Sequence, residues 1–375
     1  MTPTMSRRRA LQGAASFTAA AATALQATSA GAQTHSAGAR TMTRHWDKVF
    51  PKSSRVDHRK ITFGNRYGIT VAADLYQPKG AAGSKRPALV ISGPFGAVKE
   101  QVAGLYAQTL AERGFVTLAF DPSFTGESGG VVRNVASPDI FTEDFSAAVD
   151  AIGLLPGVDR TRIGAIGICG LSGMALTAAS ADSRIKAVAT SAMYDMSRSM
   201  SRAHQDSYTR AQRQQVIDYL SQQRWADAES GQPALGLHEV PFDEQGRIVK
   251  GTRVLPEKLP PEADPVLTAF FNYYRTRRGF HPRSINSTTA WTATTPMAFF
   301  GFPLAAHIDM IAPRPILLVT GDKAHSRYYS DDVYQAATGP KELLVVPDAD
   351  HVDLYDNLAR IPFDRLDTFF KQSLA

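Results

Sequence analysis

The sequence predicts an α/β protein with a mostly parallel central sheet flanked by helices, and two observations support this class. From about Lys60 the chain alternates short, β-branched apolar runs with segments of helical period. Parallel strands joined by crossover helices have this pattern. The 375 residues are 43% hydrophobic and 20% charged, which suits a large globular core and excludes a disordered, collagenous or coiled-coil chain.

Each predicted element is a short run of residues whose apolar side chains follow the pattern of a strand or of a helix. The predicted strands cover residues 60–63, 69–76, 88–92, 116–120, 163–168, 187–190, 316–320 and 343–346. The predicted helices cover residues 100–112, 145–155, 170–181, 332–337 and 363–372. Two opening antiparallel strands followed by a βα series indicate the sheet of an α/β-hydrolase fold.

Residues 193–312 do not follow the alternation and are predicted to form an insertion. This stretch holds a polar helix around 202–224, a link rich in Pro and Gly at 231–265, and an aromatic helix. An insertion of this size between two core strands usually folds over the strand ends as a lid. We expect the aromatic residues of this helix to pack the lid onto the core, with lining of a substrate pocket as the alternative; they are Phe270, Phe271, Tyr273 and Tyr274.

The first 32 residues have the parts of an export signal. Arginines occupy positions 7–9 after a serine, a weakly apolar stretch covers 14–27, and small residues precede Ala32. This order resembles a twin-arginine signal and predicts export by the twin-arginine machinery, cleavage after Ala32, and a periplasmic or secreted protein. The apolar stretch is too short for a stable membrane span, which needs about 20 strongly apolar residues. Residues 33–59 would then form an N-terminal arm before a hydrolase domain at 60–375.

Charge and cysteine content exclude two further classes of protein. The net charge is +6, and the three arginines of the leader supply half of it. Because no basic patch interleaved with aromatic residues follows, nucleic-acid binding is excluded. The single cysteine excludes an internal disulfide framework and every multi-cysteine metal or redox motif. No later segment qualifies as a membrane helix.

The candidate nucleophile is Cys169. A predicted strand ends in a glycine, an isoleucine, Cys169 and Gly170, and an alanine-rich helix follows. This is the layout of a nucleophile elbow, where small neighbours let the backbone bend sharply between strand and helix. The amino end of the helix is expected to lower the pKa of the thiol and to favour the thiolate.

Two alternatives to this interpretation remain open. A buried cysteine is by default a small core hydrophobe. Ser172 is an alternative nucleophile, because residues 170–173 partly match the Gly-x-Ser-x-Gly motif, although Met174 stands where that motif has its final glycine. We expect Ser172 to lie in the close-packed first turn of the helix, beneath the thiol.

The base and the acid are expected from the last two strands. His351 follows the final predicted strand, where this fold places its catalytic histidine, and a solvated loop histidine is the alternative. Asp322 is the carboxylate nearest the end of the preceding strand and is the predicted orienting acid. Asp331 or Asp332 could also reach back, but each is better explained as a helix N-cap. His325 is a candidate pocket or supporting residue.

The oxyanion hole is expected to use two backbone amides. One belongs to Gly170, the residue after the nucleophile, and the other to the turn that follows the third strand. Because Pro94 has no N–H, Phe95 is the natural second donor.

Several segments together resemble one family. They are Gly-Ala-Val-Lys-Glu-Gln at 96–101, Gly-Glu-Ser-Gly-Gly at 126–130, Gly-Ile-Cys at 167–169, Ala-His-Ser-Arg at 324–327 and His-Val-Asp-Leu-Tyr-Asp at 351–356. They resemble the dienelactone-hydrolase-like bacterial α/β hydrolases, including the YcjY type, from about residue 60 to the chain end. The resemblance implies a hydrolase of esters, lactones or thioesters, with the nucleophile at Cys169 and the histidine at His351. The chain departs from the family at Gly93, which precedes Pro94 where histidine is usual, and at Leu171, where small residues are usual.

The predicted function is therefore that of an exported esterase, a monomer or a homodimer, acting on a small-molecule ester or thioester. His351 would take the thiol proton, Cys169 would attack the carbonyl, and water would release the acyl group. No metal or organic cofactor is implied. An acyltransferase using the same site and a catalytically silent ligand-binding protein are the alternatives.

Overall fold

The computed structural model describes residues 41–80 and 85–375, and its central element is an eight-stranded sheet. The strands of this sheet are β1 (Val56–Gly64), β2 (Thr70–Pro78), β3 (Arg86–Ser92), β4 (Val116–Phe120), β5 (Val158–Ile168), β6 (Ile185–Ser191), β9 (Ile316–Gly321) and β10 (Lys341–Val346). Their order is β1-β2-β4-β3-β5-β6-β9-β10. Strand β2 pairs antiparallel with β1 and β4, and the other neighbours pair in parallel. The predicted α/β-hydrolase fold is confirmed.

Helices connect the strands on both faces of the sheet. They are α1 (Val102–Ala111), α2 (Pro138–Gly153), α3 (Leu171–Ala181), α4 (Met196–Arg202), α5 (Arg210–Ser230), α6 (Pro265–Tyr274), α7 (Ile285–Thr288), α8 (Pro296–Gly301), α9 (Arg327–Ala336), α10 (Asp353–Asp356) and α11 (Phe363–Ser373). Side chains of α2 and α3 form one apolar layer with the sheet, and those of α1 and α11 form the other. The sheet is therefore covered on both sides, as its apolar strands require.

The observed elements extend beyond several predicted ones, for local reasons. Strand β5 begins at Val158, five residues before its apolar run, because Val158 already pairs with Arg86, and the register shifts before Ile163 pairs with Ala88. Helix α2 begins at Pro138, and the side chain of Ser137 accepts a hydrogen bond from the amide of Ile140. Serine at the N-cap followed by proline is a helix-start signal that the apolar periodicity alone did not show.

Between β6 and β9 the chain forms the predicted insertion. It contains α4 to α8 and a two-stranded ribbon of β7 (Leu235–Gly236) and β8 (Trp291–Thr292). The polar helix expected around 202–224 is α5, which begins later, at Arg210, after the capping box of Thr209 and Gln212, and a separate short helix, α4, ends at Arg202. Trp291 stacks on Phe95 with ring centroids 4.2 Å apart, so the insertion lies against the turn that follows β3.

A buried ion network holds the loop between β3 and α1. The ammonium of Lys99 lies 2.8 Å from both Glu100 and Asp121 and 2.7 Å from Glu127. Arg283, from the insertion, reaches Glu100 at 2.9 Å. Buried charges are stable only when they are paired, so this network ties the loop to the sheet and to the insertion.

No helix in the described ranges is both long enough and apolar enough to cross a membrane. The predicted leader, residues 1–32 with the cleavage after Ala32, lies outside the described residues. Part of the predicted arm is described: Phe50 is buried against the layer that contains α1, and β1 begins at Val56 rather than at Lys60.

Candidate active site

Cys169 occupies the turn between β5 and α3 with a left-handed backbone. Its φ is 53°, which is strained for a residue with a side chain. A Cβ atom at Gly167 would lie 2.6 Å from the carbonyl oxygen of Leu171, and one at Gly170 would lie 2.6 Å from the Cβ of Phe95. Only glycine fits at both positions, so the small residues around the thiol are required by close backbone packing.

Three hydrogen-bond donors converge on the sulfur of Cys169. They are the backbone amides of Gly170 and Phe95 and the hydroxyl group of Tyr355. The thiol is 7% exposed, so water contributes little to its solvation. The structure thus brings the two amides predicted for the oxyanion hole to the candidate nucleophile.

The expected thiolate is not what this environment favours. Burial raises the pKa of the Cys169 thiol to about 11, and the three hydrogen bonds, which lower it, do not compensate. Burial and the neighbouring His325 hold the pKa of His351 well below its usual range. The predicted lowering of the thiol pKa was therefore wrong: desolvation exceeds the effect of the helix end, and both groups are neutral near pH 7.

Tyr355 lies between the thiol and the imidazole. Its hydroxyl oxygen is 3.1 Å from Nε2 of His351, and the same hydroxyl donates to the sulfur of Cys169. Among the described residues no direct hydrogen bond joins His351 to Cys169. The link between the predicted base and the predicted nucleophile therefore passes through a phenol that the sequence analysis did not include.

The structure does not bring Asp322 to His351. Nδ1 of the imidazole lies 2.7 Å from the hydroxyl oxygen of Ser326, while the side chain of Asp322 is exposed. Asp331 and Asp332 pair with arginines instead. The prediction of Asp322 as the orienting acid was wrong: the group that contacts Nδ1 of His351 is the neutral hydroxyl of Ser326, because the turn after β9 leaves Asp322 exposed and buries Ser326.

Ser172, the alternative nucleophile, is fully buried in the first turn of α3. Its hydroxyl donates to the carbonyl of Gly167 at 2.9 Å, and the residue does not line the cavity beside Cys169. The close-packed position expected beneath the thiol is the position observed.

His325 is part of an aromatic cluster that surrounds the base. Its Nε2 lies 2.5 Å from the hydroxyl oxygen of Tyr194, and its ring centroid is 5.0 Å from that of His351. Burial lowers the pKa of His325 to about 4, so its ring is neutral near pH 7. It therefore adds no positive charge to the site.

A cavity of about 230 Å³ opens at the thiol. Aromatic side chains form much of its wall; they are Phe95, Tyr194, Phe270, Tyr274 and Tyr355. Of the two roles expected for the aromatic residues of α6, Phe270 and Tyr274 take the less favoured one and line the cavity. The insertion also contributes apolar residues and two titratable ones, His238 and Glu239. Ligand pockets are typically apolar with a few such polar groups.

One cluster of carboxylates has the spacing of a metal site. Oxygen atoms of Asp47, Glu100 and Glu127 lie within 4.8 Å of one another. The cations of Lys99 and Arg283 already pair with these oxygens, so the protein itself neutralises the cluster. It belongs to the buried ion network rather than to the cavity.

The position of Tyr355 in the sequence indicates that it contacts His351. Tyr355 stands four residues after His351, a spacing that places two side chains together when the intervening turn is helical. Ser326 and Glu239 had no comparable signal, since each reaches the site from a separate loop.

The fold and this site define the class of the protein: an α/β hydrolase with cysteine at the nucleophile elbow. No protein-family model matches the chain. The chain is 59% identical over 333 residues to PA2218 of Pseudomonas aeruginosa, covering 89% of this chain and 85% of the relative. The crystal structure of PA2218 superposes with a TM-score of 0.83 at 58% identity, over 89% of this chain and 99% of that one.

YcjY of Escherichia coli is 32% identical over 323 residues, which cover 84% of this chain and 99% of the relative. The chain belongs to the α/β-hydrolase family that includes YcjY and PA2218. A fungal thiohydrolase, aneE of Aspergillus aculeatus, is 27% identical over 71% of this chain and 78% of its own length. Further fungal relatives are named as an acyltransferase and a polyketide transferase. The solved α/β hydrolase GrgF from a Penicillium shares the fold, with a TM-score of 0.67 at 20% identity over 85% of this chain and 99% of that one.

Proposed function

We propose that this protein cleaves a small carboxylic thioester or ester through an acyl-enzyme formed on Cys169. The observation that carries the proposal is the environment of one sulfur atom. Cys169 faces the cavity, accepts hydrogen bonds from two backbone amides, and is linked through Tyr355 to a neutral imidazole. A nucleophile, a base and an oxyanion hole are the groups that acyl chemistry requires.

The first step is a coupled proton transfer. The hydroxyl of Tyr355 first turns its proton from the sulfur of Cys169 to Nε2 of His351, 3.1 Å away, so that the phenolic oxygen can accept from the thiol. As the sulfur attacks the carbonyl carbon, the thiol proton passes to the hydroxyl oxygen of Tyr355, and the original phenolic proton passes to Nε2 of His351. The carbonyl double bond becomes a C–O single bond, and the amides of Gly170 and Phe95 hold the negative oxygen. Nδ1 of the resulting imidazolium donates to Ser326. When the tetrahedral intermediate collapses, the proton returns by the same path to the leaving thiol or alcohol.

Release of the acyl group needs a second nucleophile. With the imidazole as base, water gives hydrolysis and another alcohol, amine or thiol gives acyl transfer. The names of the fungal relatives include both outcomes. Hydrolysis is the first candidate. Acyl transfer is the second, and the apolar walls of the cavity favour it because they limit the access of water.

Thioesters are favoured over simple esters as substrates. A resting thiol with a raised pKa is a weak nucleophile, so a more reactive carbonyl compensates for it. The thiohydrolases among the relatives carry the same implication. Lactones of the dienelactone type belong to the same chemical class and are a narrower form of this proposal.

The experiment compares the intact mass of three purified variants after incubation with the butyryl thioester of N-acetylcysteamine. We expect an acyl adduct on the peptide that contains Cys169 in the wild type and in Ser172→Ala, and none in Cys169→Ala. Free butyrate is measured by chromatography in the same samples. An adduct on Ser172, or unchanged turnover in Cys169→Ala, would contradict the proposal. Neither adduct nor turnover in any variant would favour a silent binding protein.

The cellular location is a separate proposal based on the leader sequence alone. We propose twin-arginine export to the periplasm or beyond. Replacing Arg7 and Arg8 by lysine is expected to retain the precursor in the cytoplasm, as measured by cell fractionation with the mass of the mature chain as readout. Export that persists in this variant would argue against the twin-arginine route.

A further inference from the structure

Two polar side chains from the insertion face the cavity that contains the thiol. Glu239 and His238 lie in the segment after β7, and both line the cavity together with Cys169. They contrast with the aromatic and aliphatic residues that form most of its wall. Neither side chain has a part in the proposed transfer of protons.

Glu239 lacks a cationic partner. One of its carboxyl oxygens accepts a hydrogen bond from the hydroxyl of Ser199. Within residues 41–80 and 85–375 no lysine or arginine forms an ion pair with it, and Arg198, which lies on the same helix as Ser199, pairs with Asp206 and Asp332 instead. Burial raises the pKa of the Glu239 carboxyl, and a negative charge on it would raise the pKa of the Cys169 thiol.

His238 adds a second polar group without a partner. Its Nδ1 atom is buried, and no described residue forms a hydrogen bond with it. Its ring packs against Phe95, the donor of one amide to the sulfur, with centroids 5.7 Å apart. Burial lowers the pKa of His238 to about 4, so the ring is neutral near pH 7 and offers one acceptor nitrogen.

Polar groups of this kind lower the stability of the folded protein unless a partner forms hydrogen bonds with them. A buried carboxyl with one partner and a buried imidazole nitrogen with none lose hydration without full replacement. An apolar cavity would be more stable with leucine at these positions. Binding sites accept this cost where the ligand supplies the missing donor, and they then discriminate strongly against analogues that lack it.

We propose that Glu239 and His238 form a subsite that selects an acyl group bearing a hydrogen-bond donor, a hydroxyl or an ammonium. The inference rests on the proposed acyl chemistry and specifies its substrate class. The acyl group is the part that stays attached to Cys169 after the first step, so it occupies the cavity longest. The cavity of about 230 Å³ is below the range of roughly 300–1,000 Å³ for drug-sized ligands, so the part of the acyl group that the cavity holds is short.

Three matched probes test the subsite. They are the N-acetylcysteamine thioesters of butyrate, 3-hydroxybutyrate and 3-aminobutyrate, which differ only in whether carbon 3 carries a hydrogen, a hydroxyl or an ammonium. For each probe kcat/KM is measured with the wild type, Glu239→Gln, Glu239→Leu and the matched control Glu244→Gln. Glu244 is exposed on the same link of the insertion.

The wild type is expected to prefer at least one donor-bearing probe over butyrate by about tenfold or more. Glu239→Leu should remove this preference, and Glu244→Gln should keep it. Glu239→Gln distinguishes the two donors, because its amide oxygen still accepts from a hydroxyl but no longer attracts an ammonium. Retention of the preference in Glu239→Gln identifies a hydroxyl, and its loss identifies an ammonium. Thermal unfolding of each variant checks that the fold is intact.

The results separate failure of this inference from failure of the proposed function. If the wild type processes all three probes with equal kcat/KM, or if Glu239→Leu keeps the preference, the subsite is refuted while the acyl chemistry stands. If the wild type neither processes any probe nor forms an adduct on Cys169, the proposed function fails and the subsite fails with it.

Discussion

Replacing Tyr355 by phenylalanine tests the central feature of the site. The substitution deletes the hydroxyl that contacts both the sulfur of Cys169 and Nε2 of His351. The ring itself is held by aromatic neighbours, with centroids 5.2 Å from Tyr273 and 5.3 Å from His351. The fold should therefore survive the change, and the effect should fall on the chemistry.

The expected magnitude follows from what the hydroxyl does. Without it, no described group connects the thiol to the imidazole, so general base assistance to the attack is lost. That assistance is typically worth about 10² to 10⁴ in rate. At 1.36 kcal/mol per factor of ten, the barrier to acylation should rise by about 2.7–5.4 kcal/mol.

The assay is a single-turnover measurement of adduct formation on Cys169 with the butyryl thioester, followed by rapid quench and mass analysis. Tyr273→Phe is the matched control, because Tyr273 is a buried tyrosine of α6 and its ring lies 5.2 Å from that of Tyr355. Its hydroxyl forms no hydrogen bond with Cys169, His351 or Tyr355 in the structure, so the control should lose less than about tenfold. If Tyr355→Phe acylates within about threefold of the wild type, the relay is refuted and Tyr355 only covers the thiol.

Three further predictions concern the base, the thiol and the fold. Ser326→Ala removes the partner of Nδ1 on His351 and should lower kcat/KM by about three- to tenfold, the worth of one net hydrogen bond; an unchanged value would show that Ser326 does not orient the ring. The rate of alkylation of Cys169 by iodoacetamide should keep rising with pH towards about 11 in the folded protein, because the thiolate is the reactive form; a plateau near pH 8.5 would contradict the raised pKa. Lys99→Met leaves the carboxylates of the buried ion network without their central cation and should cost about 3–5 kcal/mol in urea unfolding. The control Lys371→Met breaks an exposed ion pair and should change stability by no more than about 0.5 kcal/mol. Equal losses in the two variants would show that the buried ion network does not stabilise the fold.

The fold could be predicted from the sequence because its signals are local. Apolar runs and helical periods depend on a few neighbouring residues, and all eight predicted strands overlap strands of the sheet. The elbow was also recognisable, since the glycines around Cys169 are adjacent to it in the chain. Boundaries were less accurate where polar residues continue a strand, as they do at the start of β5.

The partners in the site could not be predicted in the same way, because they depend on how loops from distant parts of the chain fold inward. Ser326 and His351 are 25 positions apart, and only the direction of the turn after β9 decides whether Ser326 or Asp322 meets the imidazole. The pKa of Cys169 is likewise a property of the whole site. The raised pKa results from the exclusion of water, and it is the insertion that excludes the water. The helix that begins after the thiol does not raise the pKa.

The neutral state of the thiol and the imidazole also limits where reaction can occur. A preformed ion pair would make Cys169 reactive towards any electrophile that entered the cavity. In the proposed mechanism the sulfur becomes strongly nucleophilic only while its proton moves through Tyr355 to His351. That movement is favourable only when a carbonyl oxygen receives the developing charge beside the amides of Gly170 and Phe95. Once the acyl group is attached, the proposed mechanism returns the phenol and the imidazole to their starting state. The choice between hydrolysis and transfer then depends on which second nucleophile the insertion admits.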